Sequence, residues 1–355
     1  ITQAWAHRAA EQTGGGMCVL SPESRREALD DADYVIVMVM IGGVRPYQVD
    51  IQVPMGVGVN QTVGDTLGPG GVFRGLRTVP FLIELCHEME ELCPNALLLN
   101  YANPMAINCW AMNFATNIKN VGLCHSVQGT ASQLAGYCGI PADEVTYWTA
   151  GINHMAWYLK FEHNGEDAYP LIRRASEDPG IVAKDPVRFD ILRHFDYFVT
   201  ESSSHMSEYV PYYRTSSDRI REYMPCRWDY PNFWPLKRET SRTEIQEQVR
   251  RYDEASEPLV LTRSAEYGIQ IMHAIETGTP IRINGNVENT GLITNLPDGC
   301  CVEVPTTVDD TGLHPCHVGA LPLQLAGLNR SNISVQQLAV EAALETSRRK
   351  AMQAI

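Results

Sequence analysis

No apolar run in this 355-residue chain approaches the ~20 consecutive residues that a membrane-spanning helix requires. Positive charge is also scarce: 28 Lys and Arg stand against 42 Asp and Glu, a formal net charge of −14. That balance argues against nucleic acid and anionic membranes as partners, and it suits a neutral small molecule better than a phosphorylated one. No Cys-x-x-Cys pair occurs, and no signal peptide opens the chain. The 10 cysteines are therefore read as buried thiols in a reducing cytoplasm. Cys86, Cys93, Cys109 and Cys138 sit in helix-like or apolar contexts, and a bridge between the adjacent Cys300 and Cys301 would be strained. Two phosphate-binding signatures are missing as well. No Gly-x-Gly-x-x-Gly follows a strand, and no Gly-rich loop ends in the Lys-Ser/Thr pair of a nucleoside triphosphatase.

What is present alternates. Residues 1–12 read as the end of a helix, and Met17–Leu20 as a strand. Ser21–Ser24 caps a short helix over Arg25–Leu29. Tyr34–Met40 is an unbroken apolar run, expected to be a strand buried on both faces of a parallel sheet. Thr78–Leu92, Ile107–Phe114 and Gln128–Cys138 carry helical periodicity, and Ala96–Leu99, Lys119–Leu123 and Glu144–Ala150 read as strands. The expectation is an α/β fold built on a Rossmann-like, doubly wound parallel sheet over residues 1–155, with its strand carboxyl ends on one edge. From about Trp157 the pattern shifts to long helices, Tyr/Pro-rich loops and strands near Ile281–Asn284 and Gly299–Val304. Residues 156–355 are thus expected to form a second, α+β substrate lobe. The opening strand without a preceding partner, and the uncapped helix-like stretch Val335–Ala354, suggest a sheet lacking its first βαβ unit and a lobe lacking its last piece.

The polar motifs fall where open α/β sheets bind ligands, at the strand carboxyl ends. Gly42-Gly43 follows the first buried strand, either as a plain turn or as a backbone that a nucleotide can approach closely. Asp65–Gly71, with Arg74 and Arg77 one turn apart, is a Gly-rich loop running into a helix, able to clasp an anion or sugar hydroxyls. Asn100–Pro104 ends the next strand in an Asn-Pro turn, either an ordinary loop or the turn that dehydrogenase-like sheets place near a nicotinamide. Cys124 and His154 stand at successive strand ends. A sulfur and an imidazole there can hold Mn²⁺, Fe²⁺ or Zn²⁺, with substrate hydroxyls completing the sphere. Each residue taken singly is more often structural. Thr200–His205, Glu208-Tyr209 and Pro211–Arg214 crowd proton-transferring and sugar-binding groups into one stretch.

Together Ile41–Gly43, Asp65–Gly71 with Arg74, Asn100–Met105, Gly122–Thr130, Gly151–Ala156, Phe198–Tyr209, Asn284–Asn286, Asn295–Val304 and Val318–Pro322 resemble glycoside hydrolase family 4. The tetrapeptide Cys124-His125-Ser126-Val127 is similar to the form seen in its melibiase-like α-galactosidases. The resemblance implies a lactate/malate dehydrogenase-like fold, bound NAD and Mn²⁺ or another divalent ion, and oxidation at C3, elimination across C1–C2, water addition and re-reduction. It implies metal binding by Cys124 and His154 and substrate contacts by Asn103, Arg74 and Asn153. It further implies NAD contacts by Gly42, Gly43 and Asn100, leaving-group protonation by His125, and a C2 base at Glu208 or Tyr209. It also implies a homo-oligomer, a dimer or tetramer. The Gly-rich dinucleotide loop of that family is absent, so NAD⁺ is expected to bind this stretch of chain weakly. The alternatives are an α-glucosidase or α-galacturonidase of the same family, a malate/lactate-type dehydrogenase, and a degenerate non-catalytic homologue.

Overall fold

The structure is a computed structural model, and it describes residues 2–224, 237, 240–241, 243–247, 249–250 and 259–355. Three short apolar segments, Tyr34–Val37 (β1), Leu97–Asn100 (β2) and Asn120–Leu123 (β3), pair in parallel in that order. Parallel neighbours need a crossover, and helices supply it: Val44–Gly56 and Gly68–Leu92 lead from β1 to β2, and Met105–Ala115 leads from β2 to β3. In β2 the alternation of a pleated strand sends Leu97 and Leu99 to one core and Leu98 to the other. All four β2 residues are buried.

β1 departs from its expectation. It spans only Tyr34–Val37 and forms the sheet edge, so Ile36 stays 45% exposed rather than buried on both faces. Met17–Leu20 forms no strand, having no partner to pair with, and both Met17 and Leu20 are exposed.

Beyond β3 the sheet turns antiparallel. Val145–Ile152 (β4) and Met155–His163 (β5) are a hairpin closed by Asn153-His154 alone, and Glu166–Asp167 (β6) pairs on its far side. Ile281–Glu288 (β7) and Cys301–Asp309 (β8) are a second antiparallel pair, and Gly312–Pro315 (β9) folds onto β8. Among the described residues all nine strands belong to one sheet, ordered β1-β2-β3-β7-β8-β4-β5-β6 with β9 on β8. Two corrections follow. The strand expected to continue the parallel set, β4, is antiparallel to both its neighbours. And β3 and β4 are not adjacent, because β7 and β8, more than a hundred residues later, insert between them. Local periodicity carries no information about such long-range insertions.

The carboxyl-terminal helix also differs. It begins at Leu323, runs to Leu344 and breaks before a separate helix at Arg348–Ala354. The break has Thr346 at φ 54° and Ser347 capping the second helix through the Lys350 N–H. Asn329 and Asn332 of the long helix bond the Met155 and Tyr209 carbonyls, tying it to the hairpin beside the site.

Candidate active site

Cys124 is the first residue past β3 and leads into the helix Ser126–Cys138. Its thiol lies 3.3 Å from Ser126 Oγ. His154 is the second residue of the β4–β5 loop, where the two-residue turn forces a φ of 65°. That region favours Gly or Asn, so a histidine held there signals strain kept for a purpose. Glu201 has the same character, with φ 76° just before the short helix Ser203–Met206. One ligand atom from each of Cys124, His154 and Glu201 falls within 4.8 Å of the others, in range of a shared cation. β3 and β4 reach this meeting point across two intervening strands.

A second layer orients the histidine. His154 Nδ1 lies 2.9 Å from the Tyr209 hydroxyl, which lies 3.4 Å from His205 Nε2, and His205 Nδ1 lies 2.7 Å from Glu208 Oε2. One consistent proton arrangement runs His154 Nδ1–H to Tyr209, Tyr209 O–H to His205, and His205 Nδ1–H to Glu208. That leaves His154 Nε2 turned toward Glu201 Oε2, 3.5 Å away. Metal-binding histidines are oriented in this way, by what the other ring nitrogen donates to. Burial opposes a charge on His154, but Cys124 and Glu201 outweigh it and lift the imidazole to about 10. Burial likewise opposes the Glu201 carboxylate, and the neighbouring His154 and His205 hold it below the usual range. A cluster this receptive to positive charge suits a cation as well as a proton.

Asp65 closes the other side. Its Oδ2 accepts from Arg74 Nη1 at 3.4 Å and Asn103 Nδ2 at 3.2 Å, and Arg74 Nε donates to the Asn103 carbonyl at 3.1 Å. Burial works against the Asp65 charge, but Arg74 and then His205 bring it down to about 2. The Gly-rich loop packs rather than clasps: a Cβ on Gly70 would stand 2.3 Å from the Gly64 carbonyl oxygen, and one on Gly71 2.3 Å from the Thr66 carbonyl carbon. Arg77 is also taken, by Asp50 at 2.5 Å.

A cavity of about 810 Å³ opens over this floor, within the range of small-molecule sites, and is lined by Cys124, His154, Glu201, Asn103, Asp65 and His205 among others. His125 lines its rim, 77% exposed, with Nδ1 3.7 Å from Glu266. Higher on the wall the buried Arg188 is paired with Asp185 and donates to Thr130 and Gln133, so its charge is neutralised before it meets a ligand. Among the described residues, no helix is long and apolar enough to cross a membrane.

Of the expected site residues, Cys124, His154, Asn103 and His125 meet at the cavity. Others stand elsewhere. Glu208 and Tyr209, expected as bases, lie behind the wall: Glu208 accepts from His205 and the backbone N–H of Thr62 and Gly64, and Tyr209 sits between two imidazoles. Burial drives the Tyr209 phenol well above its usual range. Arg74 contacts Asp65 and Asn103 from beneath, not the cavity. Asn100, expected at a cofactor, is fully buried and braces the next loop through both Ala102 N–H and Ala102 C=O. Asn153 is fully buried with neither side-chain polar atom bonded. Gly42 and Gly43 lie in the turn between β1 and the helix Val44–Gly56 with φ of 82° and 73°; a Cβ on Gly43 would meet nothing within 4 Å, and one on Gly42 would stand 2.7 Å from Pro46 Cγ. Sequence spacing does not single out Glu201, His205 or Asp65. The first two lie in a chemically dense stretch, but spacing alone does not tell which of its side chains turn inward.

A parallel βαβ half with its polar residues at strand ends, and a Cys–His–Glu cluster on the floor of a cavity, defines an enzyme of small polar molecules on a dehydrogenase-like sheet. Residues 1–140 match the family model described as family 4 glycosyl hydrolase, and residues 149–355 match that of the family 4 glycosyl hydrolase C-terminal domain. The chain belongs to family 4 of the glycosyl hydrolases. It is 43% identical over 342 residues to an α-galactosidase of Bacillus subtilis, covering 95% of this chain and 78% of that protein. Among solved structures, a putative glucosidase of Bacillus subtilis superposes with a TM-score of 0.85 at 27% identity, covering 93% of this chain and 80% of that one. A 6-phospho-α-glucosidase from gut microorganisms, described in complex with NAD and Mn²⁺, shares the fold with a TM-score of 0.81 at 22% identity, covering 99% and 82%.

Proposed function

We propose that the protein hydrolyses α-galactosides using NAD⁺ and a divalent cation, Mn²⁺ foremost. The reading rests on one observation: Cys124, His154 and Glu201 converge within 4.8 Å on the floor of a cavity large enough for a sugar and its leaving group. When bound, the cation would supply Lewis-acid stabilisation of charge on the sugar oxygens and NAD⁺ would supply the hydride acceptor that makes the C2 proton acidic. Cys124, His154 and Glu201 hold the cation, and Asn103 orients the sugar beside it. His125, exposed at the rim next to Cys124, protonates the departing oxygen. With Glu201 on the cation, His205, which also lines the floor, is the acceptor for the C2 proton, and Tyr209 and Glu208 steer its imidazole. Toward the dinucleotide, the open backbone at Gly43 fits the edge of a nucleotide rather than a pyrophosphate cradle, and Gly42 beside it is packed against Pro46.

The neutral sugar is favoured by the wall. Arg188 is the buried cation there, and Asp185 neutralises its charge; the lysines of the lining, Lys184 and Lys237, are exposed to solvent, so among the described residues no buried unpaired cation waits for a uronate or a phosphate. An α-glucosidase or α-galacturonidase is the second reading, since a single hydroxyl epimer or carboxylate separates the substrates.

The test is hydrolysis of nitrophenyl α-galactoside in D₂O with NAD⁺ and Mn²⁺. Deuterium is expected at C2 of released galactose, with hydrolysis abolished by EDTA. Galactose released at full rate without C2 exchange would rule out elimination. Faster turnover of the α-glucoside or α-galacturonide would move the substrate assignment.

A further inference from the structure

Of the four buried acids among the described residues, Asp50, Asp65 and Asp185 each face an arginine, and Glu303 faces none. Glu303 lies in the middle of β8 with no exposure. Its Oε1 accepts from Asn286 Nδ2 at 3.3 Å, and its Oε2 has no partner. An ionised carboxylate in that setting carries the full penalty of an unpaired buried ion. Burial, the dominant influence, pushes Glu303 up to about 8, with His154 pulling the other way and Glu201 adding to the rise. Burial with no cationic partner beside it favours the protonated acid. Asn286 Oδ1 is likewise buried without a partner.

The position of this pair is what gives it meaning. Gly122, Asn286, Glu303 and Gly151 form one row in register across β3, β7, β8 and β4. Asn286 Nδ2 also donates to the Gly122 carbonyl at 3.2 Å. Gly122 is two residues before Cys124, and Gly151 is three before His154. The outer members of the row are glycines because the space is taken: a Cβ on Gly122 would stand 2.9 Å from Asn286 Cβ, and one on Gly151 2.4 Å from the Met155 carbonyl oxygen. The strands carrying the two soft ligands do not pair with each other, so their separation is set by what β7 and β8 place between them.

We propose that Asn286 and Glu303 form a polar crossbar that sets the spacing of Cys124 and His154 and so the affinity of the cluster for a divalent cation. They are positioning residues and touch neither cation nor sugar. The inference rests on the cation-binding reading above. Neutrality fits a crossbar at this place, because a second buried negative charge would repel Glu201. An acid–amide pair holds two strands in register without adding charge.

Mn²⁺ titration followed by electron paramagnetic resonance of the free ion tests this without turnover. Glu303→Ala is expected to weaken Mn²⁺ binding ~10–100-fold, the usual cost of losing an outer-shell partner. Glu303→Gln keeps a neutral donor and acceptor and should bind within a few-fold of wild type. The infrared carbonyl band of a protonated carboxyl, present in wild type, should lose intensity in Glu303→Gln. Asn286→Ala should match Glu303→Ala, and the double variant should be no weaker than either single one. If Glu303→Ala does not fold, Asn286→Ala alone carries the test. Wild-type affinity in Glu303→Ala or in Asn286→Ala overturns the crossbar, as does a Glu303→Gln protein as weak as Glu303→Ala. Wild-type protein that binds no Mn²⁺ overturns both the crossbar and the cation reading. Normal wild-type binding with an unaffected Glu303→Ala removes the crossbar alone.

Discussion

His154 and Glu201 are two of six non-glycine residues with positive φ among those described, and both face the cluster. Holding such residues in the left-handed region costs on the order of 1–3 kcal/mol each, which persists only where the surroundings enforce it. Here they do: the two-residue hairpin loop fixes His154, and the Ser202 N–H bonded to Glu201 Oε1 at 3.0 Å holds Glu201. Glu201→Asn should therefore relax the backbone and leave the metal-free protein as stable as wild type or more so, by up to ~1 kcal/mol. The same variant should weaken Mn²⁺ binding. Chemical denaturation in EDTA reads the first effect and Mn²⁺ titration the second; a clear loss of stability in EDTA would remove strain from the account. Cys124→Ala should weaken Mn²⁺ by more than the ~10–100-fold expected for an outer-shell change, and peroxide treatment should abolish wild-type activity in a way reductant restores.

At the level of elements, the two antiparallel pairs decide where the site can form. The β4–β5 hairpin projects His154, and β7–β8 spaces it from Cys124. A separate hairpin shows how such turns are held. Asp309 Oδ1 accepts from the Thr311 N–H at 2.9 Å, from Thr311 Oγ1 at 2.5 Å and sits 3.0 Å from His314 Nε2, so these bonds keep its carboxyl at about 2. Because the folded value is depressed, the stabilisation is complete above the ordinary aspartate range near 4 and disappears as pH falls through about 2. Hydrogen exchange at the Thr311 amide should quicken over that window beyond its intrinsic pH dependence. Asp309→Asn should remove the excess, and an unchanged profile would refute the assignment.

Across the whole molecule, cation binding to the folded state alone must raise stability by mass action. Mn²⁺ at about 100 times its dissociation constant adds ~2.7 kcal/mol. Thermal unfolding should thus shift upward with Mn²⁺ and return with EDTA, while Cys124→Ala should show little of either change. A wild-type melting temperature indifferent to Mn²⁺ would contradict a site formed by folding.

Much of the fold was legible because it is local. The apolar runs at β2 and β3, the helical periodicity of Thr78–Leu92 and Gln128–Cys138, and the Ser24 cap each depend on neighbours a few residues away. Cys124 and His154 stood out because both follow strand-like runs. The chain alone thus determined the α/β class, the edge where polar residues gather and two members, Cys124 and His154, of the Cys–His–Glu cluster. Only tertiary structure decided that β7 and β8 part the two ligand-bearing strands, that Glu201 turns inward while Glu208 and Tyr209 stand behind, and that Asn100 braces a loop. Those outcomes depend on pairings across more than a hundred residues and on which side chains the remaining space admits. Short-range pattern, a matter of turns and alternation, contains neither quantity.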